Sequence, residues 1–276
     1  MQNIKMIATD LDRTILQPRL PNDKDSTISH YTAGILNKCR QNGIKIVFAT
    51  ARPKRVTLKF LDQIPADAVI LHNGAVIYEG NEQIFHSGIA PDVTKNILNA
   101  ISHDFPDVTL SVEIDDVFYA NFEAELEEAR NTWKYTIINE LYECLPDKPA
   151  EKIIVGLQSV NMLNMLTENP ENVVKYFEKY LPDNLYSEMD SGRFIMIMSR
   201  EAVKAKAVKR LAERYGYDMG EIAAFGDDYN DVEMLKQCGT GVAVANAIDE
   251  AKAAADYICD TNENDGVAKW IEENLL

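Results

Sequence analysis

The sequence predicts a doubly wound α/β core with an inserted α+β unit, and three observations carry that prediction. Short apolar runs that read as buried parallel strands alternate with amphipathic helices near both ends of the chain. The middle switches to strands of alternating polarity, and the doubly wound texture returns after residue 203. At about 150 residues per domain, 276 residues suggest two moderate units.

The first apolar run, IKMIAT at 4–9, stops at Asp10. Ser29 is placed to cap a helix whose apolar positions Tyr31, Ile35 and Cys39 recur every four residues, and Gly43 stands where a C-terminal glycine belongs. IKIVFAT at 44–50 reads as a second buried strand. AVILH at 68–72 and AVIY at 75–78 flank Asn73-Gly74, which predicts a hairpin. From about residue 85, TLSVEI, VFYANF and KIIVGL alternate like half-exposed strands, and 123–133 and 171–180 have helical amphipathicity. Pro182, Asp183 and Asn184, then Asp190-Ser191-Gly192, are turn chemistry and set the far boundary near 190. A helix from 203 to Gly216, with Val203, Ala207 and Leu211 facing inward, then leads to a strand at 222–225, a helix at 229–237 and a strand at 241–244. The expected division is therefore a core of 1–85 and 190–276 with an insert of 86–189.

Composition narrows the function classes. With 46% hydrophobic residues and only 23 Gly plus Pro, the chain is neither disordered nor fibrous. A net charge of -16 repels phosphate polymers and anionic lipid heads, so neither nucleic acid nor membrane is an expected partner. The first twenty residues carry five charges and no apolar signal core, and no run of about 18 uncharged apolar residues occurs, so a soluble cytoplasmic protein is expected. Cys39, Cys144, Cys238 and Cys259 are far apart, with no C-x-x-C pair, and read as buried thiols in a reducing compartment.

Ligands of open parallel sheets bind beyond the carboxyl ends of the strands, near the switch in strand order. Two acidic clusters fall at such ends: Asp10-Leu11-Asp12 and Gly226-Asp227-Asp228-Tyr229-Asn230-Asp231. Either alone is also what helix capping supplies. Together they offer five carboxylates, a density that favours a divalent cation, and oxygen-only ligands favour Mg²⁺. No EF-hand frame fits the second cluster. Between the clusters, Thr50-Ala51-Arg52 places a hydroxyl and backbone N–H groups where they could hold an anion or simply cap a helix. Lys204 opens its helix, where the macrodipole disfavours a cation unless an anion is near; Lys206 and Lys209 read as solvated.

This ordered set resembles the haloacid dehalogenase-like phosphohydrolase superfamily, whose motifs are D-x-D, a Ser/Thr, a Lys and G-D-x-x-N-D. Here they are Asp10-Leu11-Asp12-Arg13-Thr14, Thr50-Ala51-Arg52, Lys204 and Gly226 to Asp231. Asn73-Gly74-Ala75, Asn246-Ala247 and Asp265-Gly266-Val267-Ala268 are similar to the Cof-type (IIB) branch, and the resemblance spans nearly the whole chain. It implies a Rossmann-like catalytic core and a cap, between Thr50 and Lys204, that closes over the cleft and reads the leaving group. Two positions depart from the pattern. Arg13 replaces the usual Gly, where it is placed to contact substrate or cap, and Ala51 replaces the Gly after the motif-two Thr.

The resemblance further implies a Mg²⁺-dependent phosphatase acting on a small phosphomonoester, such as a sugar phosphate, nucleotide or phosphorylated cofactor. Asp10 is then the nucleophile that forms an aspartyl-phosphate, and Asp12 the general acid and base, its pKa raised by neighbouring carboxylates. Thr50, Ala51, Lys204 and Asn230 hold the phosphoryl oxygens. Asp10, the Asp12 carbonyl and Asp227 hold the metal, with Asp231 behind them. Phe118, Tyr119, Phe122, Trp133 and Tyr135 are cap aromatics, available for core packing or for stacking on a substrate. A phosphomutase of the same superfamily and a catalytically idle binding module are the alternatives. The chain lacks G-x-x-x-x-G-K-S/T, G-x-G-x-x-G and G-x-S-x-G, and its four histidines show no metal spacing. No oligomeric state follows from the sequence.

Overall fold

The structure is a computed structural model describing residues 3–18, 27–122, 135–137, 141–158, 170–179, 181–190 and 193–276. It divides into two units, Met1–His86 with Val203–Leu276 and Ser87–Ala202.

The first unit is built on an eight-stranded sheet. Its order is Tyr257–Cys259, Thr240–Val244, Ile222–Gly226, Met6–Thr9, Lys45–Ala49, Ala68–Leu71, Val76–Glu79 and Glu82–His86. The first six strands are parallel; at one edge Val76–Glu79 pairs antiparallel with Ala68–Leu71, and Glu82–His86 antiparallel with Val76–Glu79. From Met6–Thr9 the chain winds outward through Lys45–Ala49 and Ala68–Leu71, then returns to the other side at Ile222–Gly226. The switch in strand order therefore lies between Met6–Thr9 and Ile222–Gly226. The central strands read as unbroken apolar runs because they are buried along their length. Each Ile, Val or Phe fully removed from water there contributes about 1.5–3 kcal/mol.

Helix His30–Gln41 begins where expected, with Ser29 Oγ accepting from the Thr32 N–H at 3.0 Å. Asp265 Oδ1 in turn accepts from the hydroxyls of Ser29, at 2.5 Å, and Thr32, at 2.9 Å, which ties this helix start to the beginning of helix Gly266–Leu275. The buried face is Thr32, Ile35, Leu36 and Cys39. Tyr31 is 39% exposed, since a polar Thr with a hydroxyl partner takes the inward position. The expected hairpin after Ala68–Leu71 is present, but its turn is a 3₁₀ segment, His72–Gly74. His72, Asn73 and Gly74 have φ of 49°, 58° and 110°. Gly74 is required there, since a Cβ would stand 2.7 Å from the carbonyl oxygen of Val203, immediately before helix Lys204–Tyr215.

The second unit contains a six-stranded sheet in the order Tyr135–Ile137, Val117–Ala120, Leu110–Ile114, Lys152–Gly156, Phe194–Ser199, Leu185–Asp190. Its core gathers Ile97, Leu98 and Ile101 of helix Pro91–Asp104, Val173 and Phe177 of helix Pro170–Glu178, and Val112, Ile153, Val155, Ile195 and Ile197 of the sheet. The boundary expected near 190 differs from the division at Ala202/Val203. Asp190 pairs with Phe194, and Phe194–Ser199 with Lys152–Gly156, so the Asp-Ser-Gly signal falls between two strands of one sheet. Ser191 and Gly192 themselves lie outside the described residues, as does the stretch 123–133. Leu110–Ile114, read as half-exposed, is buried throughout, including Ser111 and Glu113. Phe118 and Phe122 meet edge to face at 6.4 Å; Trp133 and the Tyr135 side chain lie outside the described residues.

All four cysteines are free, and Cys39, Cys238 and Cys259 are buried whereas Cys144 is exposed, which corrects the expectation of four buried thiols. Burial pushes the Cys39 thiol up to about 11 and those of Cys238 and Cys259 up to about 12. Because the thiolate is the reactive form, iodoacetamide at pH 8 is expected to label Cys144 alone in the native protein and the other three only after unfolding. Mass spectrometry of the labelled peptides checks this. Among the described residues no helix is long and apolar enough to cross a membrane.

Candidate active site

The two acidic clusters meet at the switch point of the first sheet. Asp10 follows Met6–Thr9, and its N–H donates to the Phe225 carbonyl at 3.0 Å, which locks the end of this strand to the end of Ile222–Gly226. Beyond Gly226 a 3₁₀ turn, Tyr229–Asp231, is closed by a capping box between Asp228 and Asp231. Gly226 has no room for a side chain, since a Cβ would lie 2.4 Å from the Cβ of Asp231. Carboxylate oxygens of Asp10, Asp227 and Asp231 lie within 4.8 Å of one another, and all three residues are buried.

Lys204, the first residue of its helix, is 1% exposed and supplies the positive charge. Its Nζ donates to Asp10 Oδ1 at 2.7 Å and to Asp231 Oδ1 at 2.8 Å. Those carboxylates are the anions that rationalise a cation at a helix N-terminus. Burial works against the charged lysine, but the pull of Asp10 and Asp231 outweighs it and the Lys204 pKa is raised. Asp231 is fully engaged, because its second oxygen accepts from the N–H groups of Asp227 and Asp228 at 3.0 and 3.2 Å. It therefore shapes the loop that presents Asp227. Asp227 Oδ1 accepts from the Thr14 hydroxyl at 3.1 Å.

One ammonium does not balance three buried carboxylates. Desolvation, with Asp231, Asp12 and Asp227 nearby, pushes Asp10 well above the usual carboxylate range despite Lys204. Desolvation and Asp231 push Asp227 up to about 7, against the opposing pull of Arg13 and Thr14. A hard dication fits this arrangement: the donors are oxygens only, and the excess negative charge is what such an ion would neutralise.

Asp12 does not join the group. Its carboxylate is held in a fork by Arg52, with Nε to Oδ2 at 2.7 Å and Nη2 to Oδ1 at 2.5 Å. A guanidinium partner for Asp12 is a contact that the sequence did not indicate. The Arg52 N–H folds back onto Thr50 Oγ1 at 3.2 Å, so the Thr50 oxygen serves as a turn acceptor while its O–H remains a donor. Ala51 lies between them, half-buried, and the helix Lys54–Leu61 starts only after Pro53. Asn230 donates through Nδ2 to Asn73 Oδ1 at 3.0 Å, and its own Oδ1 is buried without a hydrogen-bond partner among the described residues.

Lys204, Asp10, Asp227 and Asp231 thus converge as the sequence suggested. Roles for Arg52, Asn73 and Thr14 were not assigned from sequence. Arg52 stood in the quoted Thr50-Ala51-Arg52 motif and Asn73 in the Asn-Gly dipeptide, so a signal existed at both positions. Within the first unit, Arg13 contacts Asn246 and Asp227.

A parallel sheet that gathers acidic loops at its switch point defines the class, and the chain belongs to the haloacid dehalogenase-like hydrolases, whose family profile matches residues 7–271. It is 29% identical over 281 residues to the 5-amino-6-(5-phospho-D-ribitylamino)uracil phosphatase YitU of Bacillus subtilis (strain 168), covering 97% of this chain and 96% of that one. Phosphatase YwpJ of the same organism is 28% identical over 300 residues, covering 99% and 100%. The crystal structure of TM0651 from Thermotoga maritima superposes with a TM-score of 0.81 at 27% identity, over 99% of this chain and 98% of that one.

Proposed function

We propose that the protein hydrolyses small phosphomonoesters through a covalent phosphoryl-enzyme on Asp10, with Mg²⁺ as cofactor. The observation that carries this reading is the Lys204 bridge between Asp10 and Asp231 beside Asp227, which puts a nucleophilic carboxylate, a cation and hard oxygen ligands at one point. Family membership and the phosphatase names of YitU and YwpJ support it.

Asp10 attacks phosphorus, the bond from phosphorus to the leaving oxygen breaks, and that oxygen takes a proton from Asp12. Water then gives a proton to Asp12 and attacks the aspartyl-phosphate, releasing inorganic phosphate and restoring Asp10. Both Asp12 oxygens accept from Arg52, so at least one of those contacts is exchanged during turnover, and Arg52 is the residue that positions Asp12. The Thr50 hydroxyl, the Ala51 N–H, the Lys204 ammonium and the Asn230 amide hold the phosphoryl oxygens, each such donor contributing about 3 kcal/mol to transition-state stabilisation. Asp10, Asp227 and the Asp12 carbonyl would hold Mg²⁺, with Asp231 fixing the Asp227 loop. When bound, the ion supplies charge neutralisation between carboxylate and phosphoryl group. The substrate class is a sugar phosphate, nucleotide or phosphorylated cofactor, with the ribityl phosphate named for YitU among the first compounds to assay. A cytoplasmic location, where the free cysteines stay reduced, belongs to the same reading.

Release of inorganic phosphate from a panel of such compounds tests the proposal: turnover is expected with Mg²⁺ and not with EDTA. Silence across the panel, or equal rates in EDTA, would sink it. Asp12→Asn is expected to slow alkyl phosphates more than aryl phosphates, because a poor leaving group depends most on protonation. Equal slowing would remove Asp12 from the acid role.

A further inference from the structure

Arg13 has φ of 56°, in the left-handed region that L side chains other than Asn and Asp rarely adopt. Three contacts hold it there. Asn246 Nδ2 donates to the Arg13 carbonyl at 2.8 Å, Arg13 Nη2 donates to the Asn246 carbonyl at 3.0 Å, and Arg13 Nε stands 3.6 Å from Asp227 Oδ2. The Asp227 side chain is 4% exposed and that of Arg13 60%, so a buried carboxylate is covered from outside by a guanidinium with solvent behind it. Since Thr14 holds Oδ1, both Asp227 oxygens are engaged. A dication can take Asp227 only by displacing or sharing one of these partners, and the one with room to withdraw is Arg13. The guanidinium also repels an incoming cation, at a range where surface charges still interact strongly.

We propose that Arg13 is a competing cation that lowers the affinity of the site for Mg²⁺, so that occupancy follows the free concentration of the ion instead of being permanent. The proposal rests on the reading of Asp10 and Asp227 as metal ligands. Arg13 acts through Asp227 and takes no part in the chemistry. Its exposure makes the displacement reversible, because the freed guanidinium is rehydrated when it leaves the carboxylate.

Isothermal titration of Mg²⁺ into the substrate-free protein tests this without any turnover. Arg13→Asn and Arg13→Gly both suit a left-handed backbone, and melting temperatures confirm that each is folded. Each is expected to lower the Mg²⁺ dissociation constant about tenfold, whereas Arg13→Lys, which keeps the charge, should stay within about threefold of the native value. Asp227→Asn should lose the binding heat. If the native protein binds Mg²⁺ and both uncharged variants bind it equally well, the role of Arg13 is overturned and the metal site stands. If no variant binds Mg²⁺, both are overturned.

Discussion

Asp10→Asn is expected to lower phosphate release by about 10⁴-fold or more while leaving the melting temperature in EDTA equal or higher. An amide oxygen is too weak a nucleophile to carry the covalent step, and loss of a nucleophile typically costs a factor of this size. The stability half of the expectation follows from burial. The Asp10 carboxyl is pushed well above the usual carboxylate range, chiefly by desolvation, so its charged form burdens the fold. A group whose folded pKa exceeds its unfolded value destabilises at pH above the unfolded value, about 4 for Asp. The gain on substitution should therefore show at neutral pH and disappear as pH falls toward 4. Lys204 keeps Asp231 as its partner at 2.8 Å, so the site does not open. Phosphate release and thermal melts at pH 4, 6 and 8 check both halves, and acid quenching in the presence of substrate should trap a phosphoryl-protein in the native chain only. Appreciable turnover by the variant would remove Asp10 as nucleophile. Loss of activity together with a collapsed melting temperature would make its role structural.

What the sequence revealed and what it hid differ in range. The strand ends at Asp10, Thr50 and Asp227 were readable because a buried parallel strand is a local signal, an apolar run that stops in polar residues. Once those ends are placed beyond one edge of a sheet, acidic motifs far apart in the chain need no further information to converge. The pairing of Arg52 with Asp12 and that of Asn230 with Asn73 depend on how loops from different strands cross, which no local period encodes. The double duty of Asp231, which binds Lys204 with one oxygen and two backbone amides with the other, was hidden for the same reason. The boundary near 190 misled because turn residues mark a hairpin within a unit as readily as a linker between units. Tyr31 fitted the four-residue spacing equally well as Thr32 fits the buried face, and only the Asp265 carboxylate, far along the chain, settles which points inward.

Lys204→Met is expected to destabilise the metal-free protein by about 3–5 kcal/mol at neutral pH, because the side chain nearly fills the same space while two buried carboxylates lose their common counter-charge. For a unit of this size that corresponds to a melting temperature lower by about 10 °C. The sign with pH separates this from a packing defect. The Lys204 pKa is raised in the folded state, so its contribution is fully present below the unfolded value, about 10.4, and is lost only as pH rises through the folded value. Between pH 5 and pH 9 the lysine therefore stays charged, and any variation of the loss within that window comes from the carboxylates it leaves behind. Asp10, whose carboxyl is already pushed above the usual range, can escape its unpaired state by taking up a proton, so the destabilisation should shrink toward acid pH. A steric fault would persist unchanged. Mg²⁺ should also recover part of the lost stability, since a dication among Asp10, Asp227 and Asp231 supplies the missing positive charge without the ammonium. Turnover should still fall by about a hundredfold with Mg²⁺ present, because the ion cannot donate the hydrogen bonds to the phosphoryl oxygens that the proposed function assigns to Nζ. Melts in EDTA and in Mg²⁺ at pH 5 and pH 8 decide the matter. A variant that melts with the native protein in EDTA would mean that the ion bridge carries no folding energy, and that the Asp227 loop is held by the amide contacts of Asp231 alone.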